Sequence, residues 1–144
     1  MAAGRHAGIP VGVHVVLERD GRVLMMRRAG TGFFDGLFSL PGGHVEPGES
    51  IRATAVREMG EEIGLALDPD ALRTLGVVHR LSDSNRIDFF LAATRWSGEP
   101  RICEPHKCDR LDWFPRDALP ADSVPYVLRA LEAGDGPWVL ELGW

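Results

Sequence analysis

The stretch GGHVEPGESIRATAVREMGEEIGL, residues 42–65, contains the clearest helix signal of the chain. Ser50 follows a Pro-Gly pair and is a good N-cap, and Gly64 is a typical C-terminal stop, so we predict a helix between them. At roughly 100° per residue, the apolar side chains of this segment fall within an arc of about 140°. They are Ile51, Ala55, Val56, Met59 and Ile63. The pattern predicts an amphipathic helix with one buried face.

Three glutamates, Glu58, Glu61 and Glu62, lie on the same predicted helix, and the stretch contains no lysine. Like charges three and four residues apart repel each other. On the helical wheel these carboxylates border the apolar arc, where water screens them poorly. A solvated acidic face would explain the charges but not this position. A hard divalent cation such as Mg²⁺ would relieve the repulsion, because it prefers carboxylate oxygens, water and phosphate.

From Gly43 to Leu65 the sequence resembles the Nudix box, G-x5-E-x7-R-E-U-x-E-E-x-G-U with U aliphatic, at every fixed position. The matching residues are Gly43, Glu49, Arg57, Glu58, Met59, Glu61, Glu62, Gly64 and Leu65. The resemblance implies the Nudix fold, an α/β fold in which an α/β/α sandwich is built around a mixed β-sheet. We expect one Nudix hydrolase domain over residues 1–144, with residues 1–9 forming a flexible N-terminal segment.

Nudix hydrolases cleave a nucleoside diphosphate linked to another group, by metal-assisted attack of water on phosphorus. The resemblance implies that Arg57 orients a box glutamate through a salt bridge. It also implies a site for Mg²⁺, or for Mn²⁺, beside the glycine-rich loop, whose backbone can approach a ligand closely. The implied ligands are the Gly42 carbonyl and the side chains of Glu58, Glu61 and Glu62.

A second resemblance lies outside the box. Residues 96–100, Trp-Ser-Gly-Glu-Pro, followed by Glu104, resemble the W-x-G-E-P-x-x-x-E stretch of MutT-type nucleoside triphosphate pyrophosphohydrolases. In those enzymes the last glutamate is an additional metal-site residue, which implies this role for Glu104. Either Glu58 or Glu104 could accept the proton of the attacking water, and the sequence leaves both open.

The resemblance to MutT-type enzymes also indicates residues that contact the substrate. Arg28, at the end of a predicted strand, matches a position at which a basic residue contacts phosphate. Ser123, with Asp122 beside it, stands where these enzymes have a base-reading asparagine, and this departure argues against specificity for 8-oxoguanine. Phe34 could stack on a base, although phenylalanines near strands are more often core residues.

Turn signals and β-rich runs predict the remaining elements. Residues 11–28 predict a β-hairpin around Asp20-Gly21, and residues 29–48 predict a loop with one short strand at residues 38–40. We predict further strands at residues 72–81, 86–96 and 111–114, an irregular loop at residues 98–109, and a second helix at residues 123–134.

Composition restricts the possible partners and the location. The formal net charge is -5 at pH 7, which argues against duplex nucleic acid as a partner. No apolar run is long enough to cross a bilayer, and the first residues lack the apolar core of a secretion signal. We therefore expect no membrane partner and a cytoplasmic location, in which Cys103 and Cys108 remain free thiols.

These patterns together predict an enzyme that acts on a small nucleotide. The first hypothesis is a Mg²⁺-dependent Nudix pyrophosphohydrolase that converts a nucleoside triphosphate to the monophosphate and pyrophosphate. The alternatives are hydrolysis of a nucleotide sugar or another linked nucleoside diphosphate, and a nucleotide-sensing Nudix domain without turnover. The intact set Glu58, Glu61 and Glu62 argues against a sensor, because a pure binding protein has no need of repelling carboxylates.

Overall fold

The computed structural model describes residues 8–144. Most of the predicted flexible segment, residues 1–9, lies outside the described residues. The strands are β1 (Val11–Arg19), β2 (Arg22–Arg28), β3 (Phe38–Ser39), β4 (Gly42–His44), β5 (Arg73–Leu81), β6 (Asn85–Ala93), β7 (Cys108–Pro115) and β8 (Trp138–Leu142). The α-helices are α1 (Ile51–Ile63) and α2 (Pro125–Glu132), and a 3₁₀ turn covers Pro69–Ala71. Within this range no helix is both long enough and apolar enough to span a bilayer.

The sheet contains both parallel and antiparallel pairs. Strand β1 lies at its centre, parallel to β6 and antiparallel to β4. Strand β5 pairs antiparallel with β6 and parallel with β8, while β2 pairs antiparallel with β3 and β7. The predicted mixed sheet is therefore confirmed.

The first two strands form the predicted hairpin around Asp20 and Gly21. Both residues have positive φ angles, 54° and 72°, as the favoured two-residue hairpin turns require. Pairing between β1 and β2 is limited to the turn end, at Glu18↔Val23 and Arg19↔Arg22. Beyond these pairs β1 continues beside β6 and β2 continues beside β7. The two strands of the hairpin thus join two halves of the sheet.

Each face of the sheet carries its own core. Side chains alternate between the faces of a strand, so neighbours such as Val15 and Val16 on β1 belong to different cores. Helix α1 covers one face through Ala55, Met59 and Ile63. Helix α2 covers the other, where its buried residues are Val127, Ala130 and Leu131. This arrangement confirms the α/β/α sandwich.

Helix α1 has the predicted limits. The Ser50 hydroxyl oxygen accepts a hydrogen bond from the Ala53 N–H at 3.1 Å. Gly64 adopts the left-handed conformation, with φ 72°, and its N–H donates to the Gly60 carbonyl at 3.2 Å. These caps set the helical phase, and hence the direction in which the glutamates of α1 point.

Several elements differ from the sequence prediction, among them β6, which ends at Ala93 instead of residue 96. Strand β4 lies in the segment predicted as loop. Its glycines give no local signal for a strand, and the strand forms because it pairs with β1. Strand β7 begins at Cys108 instead of residue 111, because it pairs along the whole of β2. Helix α2 begins at Pro125, a residue suited to the first helical position, instead of residue 123. Strand β8 was not predicted.

Replacement of Gly60 by alanine is expected to stabilise the protein. Gly60 lies inside α1, and an added Cβ would meet only the Leu65 carbonyl oxygen, at an ordinary 3.8 Å. Glycine in a helix interior costs about 0.5–1 kcal/mol relative to alanine. Urea unfolding of the Gly60→Ala variant should therefore give a free energy of unfolding higher by that amount. A loss of stability would show that the backbone of α1 is strained at this position.

Candidate active site

A cavity of about 770 Å³ opens at the sheet, beside α1. Its size is in the range of small-molecule binding sites. Glu58, Glu62 and Glu104 line it on the side of α1 and the loop before β7. On the far side of β1 it is lined by side chains of β5 and β6, among them Arg80 and Asp88. The cavity thus joins an acidic region to a region with basic and aromatic side chains.

Glu58 and Glu62 form a partly buried carboxylate pair. The Glu58 side chain is 15% exposed, and the Gly42 N–H donates a hydrogen bond to Oε1 of Glu62 at 2.9 Å. Burial raises the pKa of Glu58. Burial and the neighbouring Glu58 charge raise the pKa of Glu62 well above its usual value. Two carboxylates in this position favour either a shared proton or a cation.

Gly43 allows the pair to approach the backbone. A Cβ at this position would lie 2.2 Å from Oε1 of Glu58 and 2.8 Å from its Cγ. No side chain can therefore stand there while the Glu58 carboxylate keeps its place. The glycine-rich segment of β4 and the helix edge are fitted to each other by this contact.

Arg57 connects the carboxylates of the box. Its Nη1 donates to Glu58 at 2.9 Å and to Glu61 at 3.3 Å. Its Nε donates to Oε2 of Glu49 at 2.8 Å. Hydrogen bonds from Arg57 and Thr54 lower the pKa of Glu49 to about 2. Glu49 thus holds Arg57 in place, and from this position Arg57 can orient Glu58 as predicted.

The loop before β7 brings Glu104 to the same cavity. The Cys103 N–H donates to the Glu62 carbonyl at 3.0 Å, which fastens the loop to the C-terminal end of α1. The charge of Glu104 contributes to the raised pKa of Glu62. Lys107 Nζ lies 3.7 Å from Oε2 of Glu104. Glu104, which a motif outside the box indicated, therefore lines the same cavity as Glu58 and Glu62.

The carboxylates at the cavity fit a metal ion only in part. Within residues 8–144 no three acidic, histidine or cysteine side chains are close enough together to enclose one. Glu61 is 54% exposed and turned toward Arg57. The partly buried pair Glu58 and Glu62 nevertheless fits a hard cation, because carboxylate oxygens are the preferred donors and because burial and mutual repulsion raise the pKa of both groups.

The predicted substrate residues lie in different environments. Arg28 lines the cavity, but its Nε donates to the Phe33 carbonyl at 2.7 Å and its Nη2 to the Thr31 hydroxyl at 3.1 Å. Phe34 lines the cavity with 43% of its surface exposed. Both residues therefore belong to the cavity wall, and Arg28 also holds the loop that carries Phe34.

Asp122 and Ser123 have backbone roles beside β3. The Phe38 N–H donates to the Asp122 carbonyl at 2.9 Å. The buried Ser123 hydroxyl donates to the Pro120 carbonyl at 2.6 Å. In the described part of the chain neither residue is among those that line the cavity, whereas Val124 is.

The cavity residues that were not predicted include His14, Arg80, Asp88 and Tyr126. Asp88 binds Arg80 at 2.7 Å and His14 at 3.0 Å. Burial alone would raise the pKa of Asp88, but the hydrogen bonds and charges of His14 and Arg80 outweigh it and lower that pKa. The guanidinium of Arg80 lies 3.9 Å from the centroid of the Tyr126 ring. A lone aspartate in the apolar run RIDFFLAA was the available sequence signal.

The α/β/α fold, the acidic edge of α1 and the adjoining cavity define an enzyme of the pyrophosphohydrolase class. The NUDIX domain profile matches residues 8–136, and the chain belongs to the Nudix hydrolase family. This membership confirms the resemblance stated for the box, and it accounts for the position of the box carboxylates at the cavity.

Known relatives act on several nucleotides. The chain is 43% identical to the CTP pyrophosphohydrolase of Escherichia coli, over 84% of this chain and 87% of that protein. It is 42% identical to the ADP-ribose pyrophosphatase of Methanocaldococcus jannaschii, over only 46% of this chain and 38% of that protein. The crystal structure of a MutT NUDIX hydrolase from Burkholderia pseudomallei superposes with a TM-score of 0.82 and 32% identity, covering 89% of this chain and 99% of that one.

Proposed function

We propose that this protein is a Mg²⁺-dependent pyrophosphohydrolase that converts a nucleoside triphosphate to the monophosphate and pyrophosphate. The observation that carries this proposal is the partly buried carboxylate pair Glu58 and Glu62, which faces a cavity of nucleotide size. Nudix hydrolases use divalent metal ions, and the carboxylate pair supplies the donors that Mg²⁺ prefers.

The residues proposed to hold the ion are Gly42, through its carbonyl, and Glu58 and Glu62. Glu61 and Glu104 are the candidates to complete the set. When bound, Mg²⁺ supplies positive charge that offsets both the carboxylates and the phosphate oxygens. Arg57 keeps Glu58 oriented through its hydrogen bond at 2.9 Å, and Glu49 keeps Arg57 in place.

In the proposed reaction a water oxygen attacks phosphorus and the bridging P–O bond to pyrophosphate breaks. A carboxylate accepts the proton that water loses, so triphosphate and water give monophosphate, pyrophosphate and one proton on the enzyme. Glu58 and Glu104 both line the cavity and are both candidates for this base. They differ in surroundings, since Glu58 is bound by Arg57 and Glu104 has Lys107 at 3.7 Å.

The relatives support a triphosphate as the substrate. The E. coli relative that matches most of this chain is named for CTP, whereas the ADP-ribose relative matches less than half of the chain. A nucleotide sugar, another linked nucleoside diphosphate, and binding without turnover are alternative functions. The cytoplasmic location, the single domain and the absence of a nucleic-acid partner stay predictions.

A turnover panel tests the proposal. Nucleoside triphosphates, ADP-ribose and nucleotide sugars are incubated with Mg²⁺, and released pyrophosphate is measured separately from phosphate. We expect pyrophosphate from at least one triphosphate, no turnover with EDTA, and a higher melting temperature of the protein in Mg²⁺ because the ion binds only the folded state. Turnover that survives EDTA would contradict the metal assignment, and no turnover across the panel would favour the sensor.

A further inference from the structure

The far end of the cavity contains a largely buried arginine, Arg80, that the proposed reaction does not use. Arg80 on β5 and Asp88 on β6 have side chains only 13% and 6% exposed, and they form an ion pair of 2.7 Å. Strand β1 separates them from β4 and α1, which carry the carboxylate pair. The pair lines the same cavity, at the end away from the proposed metal site.

Stability alone is a weak reason for such a pair. Removing two charges from water costs free energy that their attraction seldom exceeds, and apolar replacements are often neutral or stabilising. The position of Arg80 in a cavity wall indicates recognition of a ligand instead. Its Nε is used by Asp88, and its Nη1 makes only a long contact of 3.4 Å with Ser82. A guanidinium has further N–H donors, which are available to a ligand.

The surroundings of Arg80 are suited to a nucleobase. Tyr126 packs against its guanidinium, and the Phe34 ring lies 6.4 Å from the Tyr126 ring. The apolar side chains Met26 and Leu40 also line the cavity. Aromatic and apolar walls with one placed polar group are typical of sites for flat heterocycles. Asp122 and Ser123 do not line the cavity, whereas Arg80 does and has the donors that base recognition requires.

We propose that Arg80, held by Asp88, reads the nucleobase and selects bases that have two adjacent acceptors. A guanidinium donates two parallel hydrogen bonds in a rigid fork. Cytosine offers O2 and N3, and guanine offers O6 and N7, as adjacent acceptors; in uracil the N3–H donor flanks both carbonyls, and in adenine the N6 amino donor flanks N1 and N7 while N3 has no adjacent acceptor. Cytosine is the expected member of this class, given the relative named for CTP. This inference deepens the proposed function, and it rests on that function for the nature of the ligand.

Binding measured without metal and without turnover tests this inference separately. The protein is titrated by NMR with CMP, GMP, UMP and AMP in EDTA. We expect CMP or GMP to bind at least about tenfold more tightly than UMP and AMP, since a bidentate contact discriminates by that order. In Arg80→Lys the ratio should fall toward one, because lysine keeps the charge beside Asp88 but lacks the fork. Arg73→Lys, on the same strand but 55% exposed, is the matched control.

The binding experiment decides the inference about Arg80 separately from the proposed hydrolysis. Base-selective binding that Arg80→Lys abolishes supports the inference, even if no nucleotide is hydrolysed and the proposed function fails. Equal binding of all four monophosphates, no binding, or selectivity that survives in Arg80→Lys overturns it, even if hydrolysis is found. Should Arg80→Lys fail to fold by circular dichroism, the Arg80→Gln/Asp88→Asn double variant removes both charges and gives the same test.

Discussion

The Glu58→Gln variant is expected to fold and to lose about 10²–10⁴-fold in kcat, the range for removal of a catalytic proton acceptor. Glutamine keeps the size of the side chain and its hydrogen bond to Arg57, so only the charge and the basicity are lost. Glu62→Gln is expected to lose activity as well, because the carboxylate at 2.9 Å from the Gly42 N–H is the partner in the proposed metal site.

The Mg²⁺ dependence of these variants separates the two possible roles of Glu58. If Glu58 is a metal ligand, Glu58→Gln needs more Mg²⁺ for half-maximal rate and recovers part of its kcat at saturation. If Glu58 is the base, kcat stays low at any Mg²⁺ concentration, and Glu104 is left as a ligand. Glu132→Gln, which changes an exposed carboxylate at the end of α2, is the control and should keep the wild-type rate. A wild-type rate in Glu58→Gln would contradict the proposed chemistry.

Glu58→Gln and Glu62→Gln are both expected to be more stable than the wild type in EDTA at neutral pH. The pKa values of Glu58 and Glu62 are raised in the folded state, so the folded protein binds more protons than the unfolded chain. Their contribution to stability is then present below the unfolded pKa and is lost as pH rises through the folded pKa. Glutamine removes this loss, so the gain in melting temperature over the wild type should disappear at acidic pH and in Mg²⁺.

The helix and the enzyme family could be predicted because their signals are local. Ser50, Gly64 and the spacing of the glutamates all lie within one stretch, and the caps that the structure shows are the ones that the residue types favour. The hairpin was predictable for the same reason, because the Asp20-Gly21 turn needs only its own two residues to adopt positive φ angles.

The base end of the cavity could not be predicted because it depends on strand pairing. Arg80 and Asp88 are eight residues apart in sequence, and only the antiparallel pairing of β5 with β6 places them side by side. Tyr126, which packs against the Arg80 guanidinium, belongs to α2 and lies much later in the sequence. The role predicted for Ser123 rested on its resemblance to a base-reading position of MutT-type enzymes. In the structure its buried hydroxyl donates to the Pro120 carbonyl, a local hydrogen bond that no sequence pattern indicates.

Replacement of Gly43 by alanine is expected to lower kcat/KM by about 10²-fold, the usual effect of misplacing a catalytic group by about 1 Å. The added Cβ would lie 2.2 Å from Oε1 of Glu58, so the carboxylate must move. The side chain of Glu58 is flexible, and stability should therefore fall by no more than about 1–3 kcal/mol, the range for added methyl groups in packed sites. Activity assays and urea unfolding of the same preparation measure the two effects.

Gly60→Ala is the matched control for Gly43→Ala, because it adds the same methyl group to α1 where the nearest atom is 3.8 Å away. It should keep kcat/KM and gain stability, while Gly43→Ala loses mainly activity. Wild-type activity in Gly43→Ala would show that the Glu58 carboxylate does not act from the position beside Gly43. If the expected loss is found, the first fixed glycine of the box is explained by space: its missing side chain is the volume that the Glu58 carboxylate occupies.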